Sequence, residues 1–136
     1  MRKGFIYVRL QIYFTLLVLV IGSALFLTWT VLQKNLRLHA QLKENLLVQT
    51  VLDQMVEDLK YADSVAVYPD RAQTTVAGVD YLYFLNNQRL TRRKDANLYL
   101  TPAKIILREL SFAQENGWLR LVLAGENQRW ERIVRL

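Results

Sequence analysis

The sequence predicts an α+β protein, in which the distal half of a long amino-terminal helix covers one face of a carboxy-terminal antiparallel sheet. Three observations predict it. No charged residue interrupts the run from Leu10 to Gln33, and an apolar stripe at helical spacing follows that run. After Ala62 the chain breaks into short, strand-like segments separated by turn signals.

The uncharged run comes first. A bilayer core about 30 Å thick needs roughly 20 residues of helix, and residues 10–33 are long enough to span it. The run is too long for a signal-peptide core, and no small-residue cleavage pattern follows it. A buried core helix is the alternative, but the remainder of a 136-residue chain is too short to wrap a helix that is apolar all round. We therefore read a single-pass membrane helix. Arg2, Lys3 and Arg9 precede it, while Lys34, Arg37 and Lys43 follow it, so the flanking charges balance. The free amino terminus breaks the tie towards a cytoplasmic amino end and an extracytoplasmic carboxy-terminal domain.

Beyond Lys34 the helix becomes amphipathic. Val48, Leu52, Met55, Leu59 and Ala62 recur at spacings of four and three, with Asp53 and Glu57 opposite them. No proline precedes Pro69, and Gly22 is the only glycine between Phe5 and Pro69, so one helix from about Phe5 to Tyr61 is expected. A coiled-coil stalk would also use such a stripe. The stripe is clean only near the far end, however, which favours packing against the chain's own following segment.

The remaining elements follow in order. Residues 64–68 read as a strand ended by Pro69-Asp70, and residues 70–78 as a polar loop. DYLYFL, residues 80–85, reads as a strand, with Asn86-Asn87 turning into QRLTR. Residues 92–97 read as a charged loop, and residues 98–107 are ambiguous between strand and a short helical turn at Pro102. ELSFA and WLRLVLA flank Glu115-Asn116-Gly117, and Asn-Gly is the preferred pair for a type I′ hairpin turn. RWERIVRL supplies a last strand.

Chemistry is sparse. The chain has one histidine, His39, and no cysteine, which excludes zinc sites and histidine- or cysteine-based nucleophilic catalysis. Asp53, Glu57, Asp58 and Asp63 read as solvated helix residues, with Glu57 and Lys60 spaced as an i, i+3 pair. We expect no enzymatic activity and no cofactor. The net charge of +6 suits an anionic membrane surface, a wall polymer or nucleic acid. Arg89, Arg92, Arg93 and Lys94 lie near Tyr81, Tyr83 and Tyr99 in sequence, a pattern that can grip phosphates and stack on bases. A solvated strand edge that resists aggregation would look the same.

Lys3-Gly4-Phe5, the long helix and the sheet texture together resemble the type IV pilin and pseudopilin superfamily. The stretches LDQMVEDLKYADSV, YLYFLNNQRLTRR and the late LSF, GWLRLVLA and WERIVRL are similar to two groups within it. These are the minor pseudopilins of competence (DNA-uptake) systems and the J-type minor pseudopilins of type II secretion. The resemblance implies a leader at residues 1–4 and cleavage between Gly4 and Phe5 by a prepilin peptidase, which also methylates the new amino terminus. It further implies a hydrophobic half of the helix at 5–33, an amphipathic half at 34–62 and a sheet domain at 63–136. The implied partners are other pilin or pseudopilin subunits in a surface filament. One position departs from the family pattern: Phe5-Ile6-Tyr7-Val8-Arg9 carries Arg9 where members usually carry a glutamate that pairs with a neighbouring subunit's ammonium. Arg9 would repel that ammonium, which points to a tip or initiation role rather than ordinary mid-filament packing. The rival reading is an unprocessed bitopic envelope protein that binds a partner in a division or cell-wall complex.

Overall fold

A computed structural model describes residues 2–136; Met1, the first residue of the expected leader, lies outside the described residues. The fold is α+β: one helix, α1 (Arg2–Lys60), and eight antiparallel strands in two sheets. The chain divides into two compact units, residues 1–43 and residues 44–136.

The second unit holds the core. Its helical part is the end of α1, where Val48, Leu52, Met55 and Leu59 are buried at spacings of four and three. That is the stripe expected from the sequence except for Ala62, which lies past the helix end and is only partly buried, and it meets two sheets rather than one. The first sheet runs in the order β1 (Ser64–Val67), β2 (Arg71–Val76), β3 (Val79–Asn86), β4 (Arg89–Arg93) and β5 (Asn97–Tyr99). The second comprises β6 (Leu107–Glu115), β7 (Trp118–Gly125) and β8 (Arg129–Arg135). Leu110, Leu123 and Trp130 form one buried row across the second sheet, and Phe112 and Leu121 continue the next. Ala72 and Tyr83 form the corresponding row of the first.

Three hairpins turn through two consecutive residues with positive φ, as a type I′ turn requires. They are Ala77-Gly78, Asn87-Gln88 and Asn116-Gly117. The third is the expected one, and the second sits one residue later than expected. The first was not anticipated, because residues 70–78 read as a polar loop. Most of that loop is β2. RAQTTV carries only Ala72, Thr74 and Val76 on its inner face, too little apolar character to signal a strand alone. Pairing with β1 on one side and β3 on the other imposes the conformation. An L-residue at Ala77 is costly there, and the Asp63 carboxylate steadies the turn by accepting a 3.0 Å hydrogen bond from its N–H.

The charged loop is also shorter than expected, since Arg92 and Arg93 complete β4 and only residues 94–96 bridge to β5. Pro102 starts no helix; the segment between β5 and β6 is a turn in which Thr101 and Ile105 are buried.

The stripe makes a differential prediction. Leu52→Ala should destabilise the chain by about 2–5 kcal/mol. Leu46→Ala, on the exposed side of the same helix, should stay within about 0.5 kcal/mol of wild type. Denaturant unfolding of the full chain in detergent micelles, followed by tryptophan fluorescence, measures both.

Candidate functional site

Two regions carry the functional reading: the first helical unit and the basic strands of the first sheet. Within the first unit, residues 10–33 are uncharged, mostly apolar and exposed throughout, as a candidate membrane span should be. The serine and threonine hydroxyls of that run are satisfied locally. The hydroxyls of Thr15, Ser23, Thr28 and Thr30 donate to the carbonyls of Gln11, Val20, Ala24 and Phe26 at 2.8–2.9 Å. A helix whose hydroxyls bond to its own backbone presents little unsatisfied polarity to hydrocarbon. Tyr7 and Tyr13 lie near one end of the run and Trp29 near the other. At about 1.5 Å per residue, Tyr7 and Trp29 stand roughly 33 Å apart, close to a bilayer core of about 30 Å. Aromatic rings prefer that interfacial depth.

Gly4 and Phe5 lie in the first turns of α1, and Phe5 is exposed. The Arg9 guanidinium sits 4.9 Å from the centroid of the Phe5 ring. Side chains on a helix lean towards its amino end, so Arg9 reaches back towards the basic flank rather than into the apolar run. An arginine at this depth can therefore keep its charge at the interface.

The four cations of the basic cluster do not share a surface. Strand alternation puts Arg92 on the face that carries Tyr83, its register partner, and Arg89 and Arg93 on the opposite face. Arg92 is half-buried against the helix, 3.6 Å from the Asp58 carboxylate and 5.3 Å from the Tyr81 ring. Arg89 donates to the Thr101 carbonyl at 2.9 Å and lies 3.9 Å from the Tyr99 ring centroid. Arg93 lies over Phe84, and Lys94 follows it in the exposed turn. The outer face also carries Arg71, in line with Phe84, Thr91 and Tyr99. A groove of about 390 Å³ runs from this face to the start of β6, with Leu82, Phe84 and Leu110 as its apolar lining and Arg71, Arg93 and Arg108 as its cations.

The acids on the helix are not simply solvated, as the sequence suggested. Asp58 accepts a hydrogen bond from the Tyr83 hydroxyl and pairs with Arg92. Asp53 accepts from Arg132 at 3.0 Å, and Asn45 accepts from the Trp130 indole at 2.6 Å. Glu57 forms no ion pair with Lys60 among the described residues; Lys60 lies over Tyr61 instead. Sequence reading missed these ties because nothing marks one acid of a helix as facing a strand before the strand is placed. The nearest signal was position: Asp58 precedes Leu59 of the apolar stripe. His39 is exposed on the helix, and no cluster of His, Cys, Asp or Glu among the described residues could hold a metal ion.

Burial, and then the hydrogen bond and charge of Asp58, push the Tyr83 phenol well above its ordinary value, while Arg92 pulls the other way. No family model, curated protein or solved structure matches the chain.

A phenol whose pKa is raised on folding contributes stability that is whole below its unfolded value of about 10 and is lost as pH climbs beyond it. The unfolding free energies of wild type and Tyr83→Phe should therefore run parallel below pH about 10 and converge above it. Curves that stay parallel through the alkaline range would remove Tyr83 as the cause.

Proposed function

We propose that this chain is a membrane-anchored, non-enzymatic structural subunit of a type IV pilus-like filament, of the minor pilin or pseudopilin kind. The observation that carries the proposal is the single helix, α1, apolar at its start and buried along one stripe at its end, followed directly by antiparallel strands. A subunit built this way holds itself in the bilayer with residues 10–33 and offers its α+β domain to partners. The amino end would be cytoplasmic and the domain extracytoplasmic, with other pilin-like subunits and a prepilin peptidase as its partners. Such filaments serve competence DNA uptake, pilus assembly or type II secretion.

Processing would cut between Gly4 and Phe5. Both residues lie in the first turns of α1, where the first amides lack intrahelical partners and glycine costs little to unwind. Arg9, drawn back over Phe5, supports a tip or initiation role, since it supplies no carboxylate for a neighbour's ammonium. Coexpression with a prepilin peptidase and intact-mass measurement test the assignment. The expected product begins at Phe5 and carries an added methyl group. A chain that keeps its leader beside an active peptidase would sink the filament assignment and leave the rival reading, an unprocessed bitopic envelope protein.

The outer face of the first sheet supports a second reading, contact with DNA phosphates. Arg71, Arg89 and Arg93 share that face with Tyr99 and Phe84, and Lys94 lies in the turn beside it. Arg92 stands apart from it. Reversing Arg89, Arg93 and Lys94 in the full chain should flatten the slope of log affinity against log salt for single-stranded DNA by about 0.7 per lost phosphate contact. Arg92→Ala should leave that slope unchanged. No salt-sensitive binding by wild type in low-salt detergent solution would end this reading.

A further inference from the structure

The edges of the two sheets differ in how they are protected. β1 is four residues long and ends at Pro69, and β5 is three residues long. β6 has an irregular register between Leu107 and Glu109, and its outer side is already occupied. The Phe112 amide donates to the Pro69 carbonyl at 3.1 Å and the Leu107 amide to the Gln88 carbonyl at 2.9 Å. β8 has none of these devices. It is seven residues long, free of proline, and in unbroken register with β7 from Arg129 to Arg135. Open edges of this kind template further strand pairing.

Which backbone groups of β8 are free follows from one hydrogen bond. The Leu136 amide donates to the Gly117 carbonyl at 3.0 Å, just beyond the Trp118–Arg135 pair. Antiparallel ladders alternate between hydrogen-bonded and non-hydrogen-bonded pairs. The even-numbered residues of β8 therefore bond to β7, and Arg129, Glu131, Ile133 and Arg135 point their N–H and C=O groups to the open edge. Their side chains lie on the outer face of the second sheet, away from buried Trp130 and Val134.

We propose that β8 is a self-pairing edge whose occupant is β8 of a second copy of this chain, antiparallel and centred on Ile133. In that register Ile133 faces its own counterpart, and Glu131 faces Arg135 of the other copy on each side. Every free backbone group from Glu131 to Arg135 gains a partner. The pattern Glu131-x-Ile133-x-Arg135 is self-complementary, acid to base about an apolar centre, which a guard of like charges is not. Ile133 is 63% exposed, and Arg135, lying over the Trp118 ring, has no carboxylate partner among the described residues. Glu131 already accepts from Arg120 on β7 at 2.6 Å, and Arg120 holds its carboxyl below the usual range. Pairing would extend that contact into a row, Arg120–Glu131–Arg135, that crosses the interface. Other registers do worse. Centring on Arg132 sets Arg129 against Arg135, and centring on Glu131 sets acid against acid. Centring on Trp130 pairs only residues 129–131 of the strand.

The inference concerns the second sheet alone and stands whether or not Gly4–Phe5 is cleaved. The chain contains no cysteine, so Ile133→Cys introduces a single thiol. Opposed residues of a hydrogen-bonded antiparallel pair have Cα atoms about 5.5 Å apart, within disulfide range. Full-length I133C in detergent micelles, oxidised or treated with a short thiol-to-thiol cross-linker, should give a covalent dimer at least about tenfold faster than Ala113→Cys. Ala113 is exposed on the same face, in the row of Ile133 but on β6. Adding Arg135→Glu should slow cross-linking by about tenfold, since the two like-charge pairs it creates each cost roughly threefold in affinity. Adding Glu131→Arg to that variant should restore the rate. Equal rates for I133C and A113C would overturn the proposal. So would an R135E variant that cross-links normally, or one that the charge swap fails to rescue.

Discussion

The carboxy-terminal unit depends on one constraint: four apolar side chains at the end of α1 must leave water on one side of the helix only. Val48, Leu52, Met55 and Leu59 are buried, and their neighbours Leu46, Asp53 and Glu57 are not. Full burial of such side chains contributes about 1.5–3 kcal/mol each, more than the exposed ion pairs around them. The stripe is therefore what brings helix and sheets together. The polar ties do a different job. Asn45 to Trp130, Asp53 to Arg132, and Asp58 to Tyr83 and Arg92 flank the stripe on both sheets. Hydrogen bonds are directional where apolar burial is not, so these contacts fix the rotation of the helix over its two sheets.

Much of this was legible in the residues, for identifiable reasons. The stripe, the DYLYFL strand and the Asn116-Gly117 hairpin each combine a local preference with the pattern that the fold demands. β2 was not legible, because RAQTTV forms a strand only through its two neighbours. The division into two sheets was hidden too. Strand patterns report which residues face inward, but not which other strand lies beside them. The basic cluster was legible as charge but not as a division between two faces. Adjacent positions along a strand face opposite ways, so sequence proximity of Arg92 and Arg93 implies separation, not cooperation.

One helix carries two surfaces, a candidate membrane span in the first unit and a buried apolar stripe in the second. In its first unit, hydroxyls bond to the backbone and aromatic rings stand near the two ends of the uncharged run. Arg9 is the strongest conflict with a purely apolar segment. Its reach back over Phe5 resolves that conflict, because a guanidinium near the interface avoids the desolvation that a midplane charge would suffer. The same geometry keeps a cation beside the amino end of the helix. The α+β domain carries most of its cations on strands instead.

Strand parity then decides what that domain can offer. On β4 it separates Arg92, held against the helix by Asp58, from Arg89 and Arg93 on the outer face. On β8 it does the reverse, collecting Glu131, Ile133 and Arg135 on one face while also turning their backbone groups to the open edge. Side-chain alternation and hydrogen-bond alternation share a period of two, so on an edge strand the residues that display complementary charge can also be those that display free amides. Where both coincide around an apolar residue, pairing gains backbone bonds, opposite charges and apolar contact from the same residues. β8 meets all three conditions. The first sheet ends in strands of three and four residues and offers no comparable edge.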